Sequence, residues 1–212
     1  MLKINEIFYS IQGESTFAGF PFIFIRLTGC PLRCTWCDTT YAYNEGTDMD
    51  LPEIMDTIKK YPGHYVEITG GEPLQQKDTP QLAAALLDHG YDVFMETGGS
   101  HDISIIPENV HRIMDIKCPA SGMTDKMDWK NLHRLGKNDE IKFVIAGHKD
   151  FNFAEEIVRK NKQLLNFPLL VSPVWGRVKL KELSEWILGS EIPFRLQLQL
   201  HKIIWPGVER GV

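Results

Sequence analysis

The sequence predicts an α/β fold, an incomplete (β/α) barrel built by the whole chain, residues 1–212, as one domain. Three observations lead there. From residue 64 onward, short apolar runs alternate with longer helical patterns, the order expected when parallel strands are joined by crossover helices. At 212 residues, 43% of them hydrophobic, the chain can bury one real core. The residues suited to chemistry fall just after the strand-like runs, on the rim where barrels and open sheets place their ligands.

The predicted strands are Phe22–Leu27, Tyr65–Thr69, Asp92–Glu96, Arg112–Lys117, Ile141–Ile145, Leu169–Val171 and Phe194–Leu198, each rich in β-branched or aromatic side chains. Helices are predicted at 51–60, 79–89, 128–135, 150–163 and 179–188. Asp50 and Glu53 stand at capping-box spacing before the first helix. Asp78 and Pro80 open the second, and Gly90 closes it. The irregular stretch Pro119–Asp128 reads as a loop over the site, and no repeat or linker interrupts the chain.

A formal charge of −5 and a pI near 5.8 argue against a nucleic-acid or anionic-membrane surface, which needs an excess of lysine and arginine. MLKINEIFYS lacks the basic-then-apolar pattern of a signal peptide, and no later segment can span a bilayer, so a cytoplasmic protein is expected. Four cysteines, three of them within eight residues, are too few and too clustered for a disulfide framework. Metal or cluster binding is the better reading.

Gly29-Cys30-Pro31-Leu32-Arg33-Cys34-Thr35-Trp36-Cys37-Asp38 brings three thiolates to one loop, and iron–sulfur clusters favour thiolate ligands. Three cysteines serve three irons of a cubane and leave the fourth open to a chelating cofactor. The amino and carboxylate groups of S-adenosylmethionine (SAM) can fill that position. Structural zinc wants a fourth ligand and usually two separated pairs, which this chain lacks. Cys118 follows a strand and precedes proline, so it reads as a buried thiol outside the cluster.

The Cys30/Cys34/Cys37 spacing is the signature of the radical SAM superfamily, and Gly70-Gly71-Glu72-Pro73 resembles its glycine-rich motif. Glycines there let backbone carbonyls approach the SAM ammonium without Cβ interference. The incomplete barrel is then of the radical SAM type. With Glu6–Ser15, Cys37–Ala42, Phe24–Leu27, Thr69–Pro73, Glu96–Gly99, Asp115–Lys117 and Gln199–Lys202, the chain resembles the 7-carboxy-7-deazaguanine synthase family over nearly its whole length.

That resemblance implies conversion of 6-carboxy-5,6,7,8-tetrahydropterin to 7-carboxy-7-deazaguanine with loss of ammonia, in queuosine and 7-deazaguanine biosynthesis. It implies a 4Fe–4S cluster on Cys30, Cys34 and Cys37, SAM and Mg2+, with an electron donor such as flavodoxin or ferredoxin, and a homodimer. By motif, Ile11, Gln12, Gly13, Glu14, Arg26, Thr69 and His201 would meet the pterin, Arg26 through its carboxylate, to which a planar guanidinium is suited. Thr39 would offer its hydroxyl to Mg2+, a hard cation that keeps few protein ligands. Trp36, Asp38, Gly71, Lys117, Ser172 and Pro173 would hold SAM, with a loop cap as the other role open to Asp38.

Two features depart from the family's pattern. Gly98 stands where relatives more often carry Asn, and the tail beyond Lys202 is longer than in some of them, so a dimer contact is its expected role rather than substrate binding through Pro206. Two other readings compete. A glycyl-radical enzyme activase leaves Gln12–Glu14 and Gln199–His201 unexplained, and a noncatalytic iron–sulfur electron carrier leaves Gly70–Pro73 idle and usually has a full protein ligand set.

Overall fold

The structure, a computed structural model, describes residues 1–212. Its nine strands are β1 (Leu2–Ile11), β2 (Pro21–Leu27), β3 (Thr47–Met49), β4 (Tyr65–Gly70), β5 (Asp92–Thr97), β6 (His111–Ile116), β7 (Glu140–Ile145), β8 (Leu169–Pro173) and β9 (Phe194–Leu196). They form one sheet in the order β3-β1-β2-β4-β5-β6-β7-β8-β9, which does not close on itself. From β2 to β9 every pairing is parallel, while β1 lies antiparallel to β2 and β3. The parallel strands are buried almost end to end, as expected when both sheet faces are covered.

The α-helices are α1 (Leu51–Ile58), α2 (Thr79–Asp88), α3 (His148–Lys160), α4 (Leu180–Leu188) and α5 (Leu200–Ile204). In α1 the expected capping box forms: Asp50 accepts from Glu53 N, and Glu53 accepts from Asp50 N. Asp78 precedes α2 without a side-chain cap and pairs instead with the N-terminal ammonium at 2.9 Å. No helix is long and apolar enough to cross a membrane.

Alternate residues of each strand have separate tasks. One set, including Ile23, Ile25, Leu27, Ile68, Met95, Ile116 and Phe143, packs with Ile54, Leu82, Leu86, Phe151 and Leu183 of the helices into the main core. Burying side chains of this size stabilises the fold by about 1.5–3 kcal/mol each. The other set faces the concave side and changes character along the strands. At the lower end Phe8, Phe22, Phe24, Phe94 and Ile113 form an aromatic layer. Two residues further along sit Arg26, Glu67, Glu96, Asp115 and Lys142, all lining one cavity above that layer. The sheet thus supplies a dry floor and a charged upper tier.

Several expectations need correction. Residues 128–135 do not form an α-helix. Trp129–His133 is a short 3-10 turn started by Asp128, whose side chain accepts from Lys130 N. The last strand stops at Leu196 rather than Leu198, because Gln197 N donates to Val171 O and the chain turns toward α5. Pro119–Asp128 does not cover the site. It backs the cysteine loop, where Thr35 N donates to Ser121 O at 3.2 Å and Thr35 Oγ1 to Ala120 O at 2.9 Å. The strand β1 was not foreseen: a bulge between Ile4 and Glu6 breaks its alternation, so Leu2 and Ile4 share the core with Ile7 and Tyr9.

Candidate active site

The cavity has a volume of about 850 Å³ and opens at the C-terminal ends of the parallel strands. That lies within the range of small-molecule sites. Cys30, Cys34 and Cys37 line one side of it, held there by backbone contacts at both ends of their loop. Gly29 N donates to Ala42 O, and Glu72 N to Gly29 O, each at 2.8 Å. Such close approach requires glycine. A Cβ on Gly71 would collide with Gly29 O and stand 2.7 Å from Cys30 Cβ, and Gly70 has a φ of +149°.

Glu72, the acid of the glycine-rich motif, is fully buried and turned away from chemistry. Its carboxylate accepts from Leu74 N at 3.1 Å, Thr97 Oγ1 at 2.9 Å and Gly98 N at 2.7 Å, which fastens the end of β5 to the end of β4. Gly98 fills a crowded place, since a Cβ there would stand 3.0 Å from Leu32 Cδ1 and 3.3 Å from Lys117 Cε.

A 4Fe–4S cluster fits the donor set. Cys118 is buried against Ile116 O and does not line the cavity, which leaves three thiols. No three His, Cys, Asp or Glu side chains converge closely enough to hold a single ion. Around one zinc, thiolates would stand about 3.8 Å apart, given Zn–S bonds of about 2.3 Å. Burial pushes the Cys30 and Cys34 thiols up from their ordinary value, so metal binding must displace their protons. Asp115 Oδ1, buried without a hydrogen-bond partner, faces the same space, while its Oδ2 binds Lys117 Nζ at 2.7 Å.

Across the cavity two chain segments 185 residues apart are joined. Gln199 Nε2 donates to Glu14 Oε1 at 3.0 Å, and Leu200 N to Gly13 O at 3.0 Å. Gln12 is locked from both sides: its Oε1 accepts from Glu14 N at 2.9 Å, and its Nε2 donates to Glu67 Oε2. Glu14 pairs with Lys142. Burial would raise the Glu14 pKa, but Lys142, His201 and the donors around it hold the carboxyl at about 2. Glu67 goes the other way, pushed up to about 8 by burial and by the neighbouring Glu96. Burial lowers His201, which is therefore a neutral imidazole at neutral pH.

The chain's residues 24–124 match the radical SAM superfamily. A 7-carboxy-7-deazaguanine synthase of Chlorobaculum tepidum is 43% identical over all of this chain and 97% of its own length. One from Koribacter versatilis is 40% identical over the full length of both. This chain belongs to the 7-carboxy-7-deazaguanine synthase family. The fold agrees: the crystal structure of QueE from Escherichia coli superposes with a TM-score of 0.77 at 24% identity, covering 93% of this chain and 94% of that one. As a radical SAM protein, a member of this family works with a 4Fe–4S cluster and SAM.

Most residues singled out from the 7-carboxy-7-deazaguanine synthase resemblance lie on this cavity: Ile11, Gln12, Gly13, Glu14, Arg26, Trp36, Asp38, Thr39, Thr69, Gly71, Lys117 and His201. Ser172 and Pro173 do not line it; both are buried, while Val174 and Trp175, which follow them in the chain, do. Asp38 does not cap its loop but pairs with Lys202 at 2.5 Å. The tail folds onto its own chain, where Tyr41 OH donates to Glu209 O at 3.0 Å, Arg210 pairs with Glu45 at 2.6 Å, and Gly211 N donates to Glu6 Oε2 at 3.1 Å. It thereby brings Trp205–Glu209 and Val212 to the cavity mouth.

Glu67 and Lys142 were missed, and Glu96 and Asp115 were noticed only within motifs. The signal was available. A charged residue inside an otherwise apolar buried strand must face a partner or a ligand.

Proposed function

We propose that this chain converts 6-carboxy-5,6,7,8-tetrahydropterin to 7-carboxy-7-deazaguanine with loss of ammonia, a product for which its relatives are named. The observation that carries the reading is the Glu14–Gln199 hydrogen bond, which joins two remote segments into one acceptor-rich wall facing the cysteine loop across a single cavity. A glycyl-radical enzyme activase or an electron carrier gives that wall no task.

When bound, the cluster and SAM supply one-electron cleavage of SAM and the carbon radical that abstracts hydrogen. The chain's own residues bind and orient. Arg26, at one end of the cavity, offers its guanidinium edge to the substrate carboxylate. Glu14, ionised by its neighbours, accepts from the N–H groups of the aminopyrimidinone edge. Neutral His201, packed on Gly13, offers one donor and one acceptor from above. Thr39 does not cap the turn that follows it and makes only a long hydrogen bond of 3.7 Å to Cys37 Sγ, so its hydroxyl would be the group to hold Mg2+. Glu72, whose N–H donates to Gly29 O, and Gly71, packed against Gly29 and Cys30, fix the cysteine loop to the end of β4, which would hold the reacting groups at a constant separation.

The deciding experiment is anaerobic cluster reconstitution followed by incubation with SAM, dithionite or reduced flavodoxin or ferredoxin, Mg2+ and the carboxypterin. Formation of 7-carboxy-7-deazaguanine by mass, with ammonia released, is the expected result. SAM cleavage without that product, with or without the pterin, overturns it.

A further inference from the structure

Lys142 sits in the middle of β7 with its side chain 5% exposed, on the face opposite to Ile141, Phe143 and Ile145 of the core. A buried ammonium is costly, and an apolar residue would serve a strand better unless the charge has a task. Its contacts show what the task is. Lys142 Nζ donates to Glu96 Oε1 at 2.5 Å and pairs with Glu14 Oε2. Glu96 belongs to β5, two strands away in the sheet, and Glu14 to the loop after β1. One ammonium therefore spans the cavity floor and ties the loop to the sheet.

The same loop is held a second time by β7. Glu140, two residues before Lys142 and wholly buried, accepts from Thr16 N at 3.0 Å and lies 2.8 Å from His111 Nε2. With Lys142 removed, Glu14 and Glu96 would repel one another, since Glu14 and Asp115 both bear on the Glu96 carboxyl. Glu14 lines the cavity, its Oε1 accepting from Gln199 Nε2 and its Oε2 from Lys142 Nζ, so that each carboxylate oxygen has one bond fixed within the protein. A carboxylate has about four acceptor sites, which leaves the second site of each oxygen for a ligand.

We propose that Lys142 is a positioning and specificity-determining residue, holding the Glu14 and Glu96 carboxylates side by side as the paired acceptors that select a heterocycle with adjacent N–H donors. The inference rests on the pterin reading above. An aminopyrimidinone presents such donors, and its 2-oxo counterpart replaces the amino group by an acceptor, which faces carboxylate oxygens unfavourably.

The test compares wild type, Lys142→Arg, Lys142→Met, Glu96→Gln and the double variant Lys142→Met/Glu96→Gln, all with reconstituted clusters. Calorimetry measures binding of oxidised 6-carboxypterin and of its 2-oxo analogue, and of SAM separately. Wild type is expected to prefer the 2-amino compound, and Lys142→Met to lose affinity for it by about ten- to a hundredfold while keeping SAM affinity. Most of the preference disappears with it. In turnover, the change falls on KM more than on kcat, and Lys142→Arg restores part of it. If Lys142→Met does not fold, the double variant, which removes charge on both sides, decides by comparison with Glu96→Gln alone: a further loss of 2-amino preference supports the role. Unchanged discrimination in Lys142→Met, or in the double variant relative to Glu96→Gln, overturns it. Failure of wild type to bind or turn over the pterin condemns the proposed function instead, a separate outcome.

Discussion

Arg26 Nε donates to Glu6 Oε1 at 2.7 Å, and neither Nη atom of Arg26 has an acceptor in the protein. Glu6 is itself fixed by Tyr41 OH at 3.1 Å and by Gly211 N at 3.1 Å, so one edge of the guanidinium is anchored and the terminal pair of nitrogens is left for a ligand. A carboxylate can take both at once. Lysine keeps the charge but loses the fork and the Nε contact. Arg26→Lys should raise KM for the carboxypterin by about ten- to a hundredfold, the range of a charged hydrogen bond lost. SAM affinity should not change. Parallel titrations of SAM and pterin check this, and equal loss of both assigns Arg26 a purely structural role.

The cysteine assignments make a sharper test. Cys30→Ala, Cys34→Ala and Cys37→Ala should each fail to retain a 4Fe–4S cluster able to cleave SAM, whereas Cys118→Ala should keep full iron content. Cys118 is 1% exposed and weakly bonded to Ile116 O, so its loss should cost only about 1 kcal/mol of stability through the small cavity left behind. Iron and sulfide analysis with electron paramagnetic resonance of the reduced proteins gives the answer. Cluster loss in Cys118→Ala with intact protein would count against the three-cysteine site.

How much of this was legible in the sequence depends on range. The parallel strands and their rim could be read because each is a short apolar run with its chemistry just beyond it, as in Tyr65–Gly70 followed by Gly71 and Glu72. The antiparallel β1 was hidden by its bulge and its charged residues. The cysteine loop and Arg26 announce themselves locally. Lys142 does not, because its meaning comes from Glu14, placed against it by a fold that brings residues 128 positions apart together. The path of the tail is hidden for the same reason: only the structure shows that Glu6, which binds Arg26, also receives Gly211.

Glu67 sets a pH dependence that can be isolated. It is 4% exposed, bonded to Gln12 and near Glu96, Glu14 and Lys142, and burial followed by the charge of Glu96 lifts its pKa from 4.5 to about 8. Between those values the folded protein holds a proton that the unfolded chain releases. Its contribution is therefore complete below about 4.5 and is lost as pH rises toward 8, the reverse of a salt-bridged carboxylate. Glu67→Gln offers Gln12 a neutral oxygen and cannot titrate. Its melting temperature should fall less than that of wild type between pH 6 and pH 8.5, the stability slopes differing by at most about 1.4 kcal/mol per pH unit. Superimposable melting curves across the range rule out a protonated Glu67.

Gly13 offers the most direct test of the joint between the two ends of the chain. It is buried beneath His201, and a Cβ placed on it would collide with His201 Nδ1 and stand 3.0 Å from His201 N. Its carbonyl accepts from Leu200 N, so the glycine cannot move away without breaking the contact that starts α5. Gly13→Ala must therefore push His201, and with it the turn carrying Trp205–Glu209, off the cavity, at the cost of overpacking, about 1–3 kcal/mol. The cysteine loop and Gly71 lie on the other side and meet this segment through the half-exposed Asp38–Lys202 pair, which is too weak to carry the displacement to the cluster. We expect Gly13→Ala to keep its cluster and bind SAM as wild type does, while pterin affinity falls by about tenfold or more. Gly147→Ala is the control, since Gly147 has extended backbone and no atom within 4 Å of the added methyl, and it should change neither. Calorimetric titration of all three proteins with pterin and with SAM is the measurement. Wild-type pterin affinity in Gly13→Ala would mean that His201 and the Gln12–Glu14 segment do not act on the ligand as one wall.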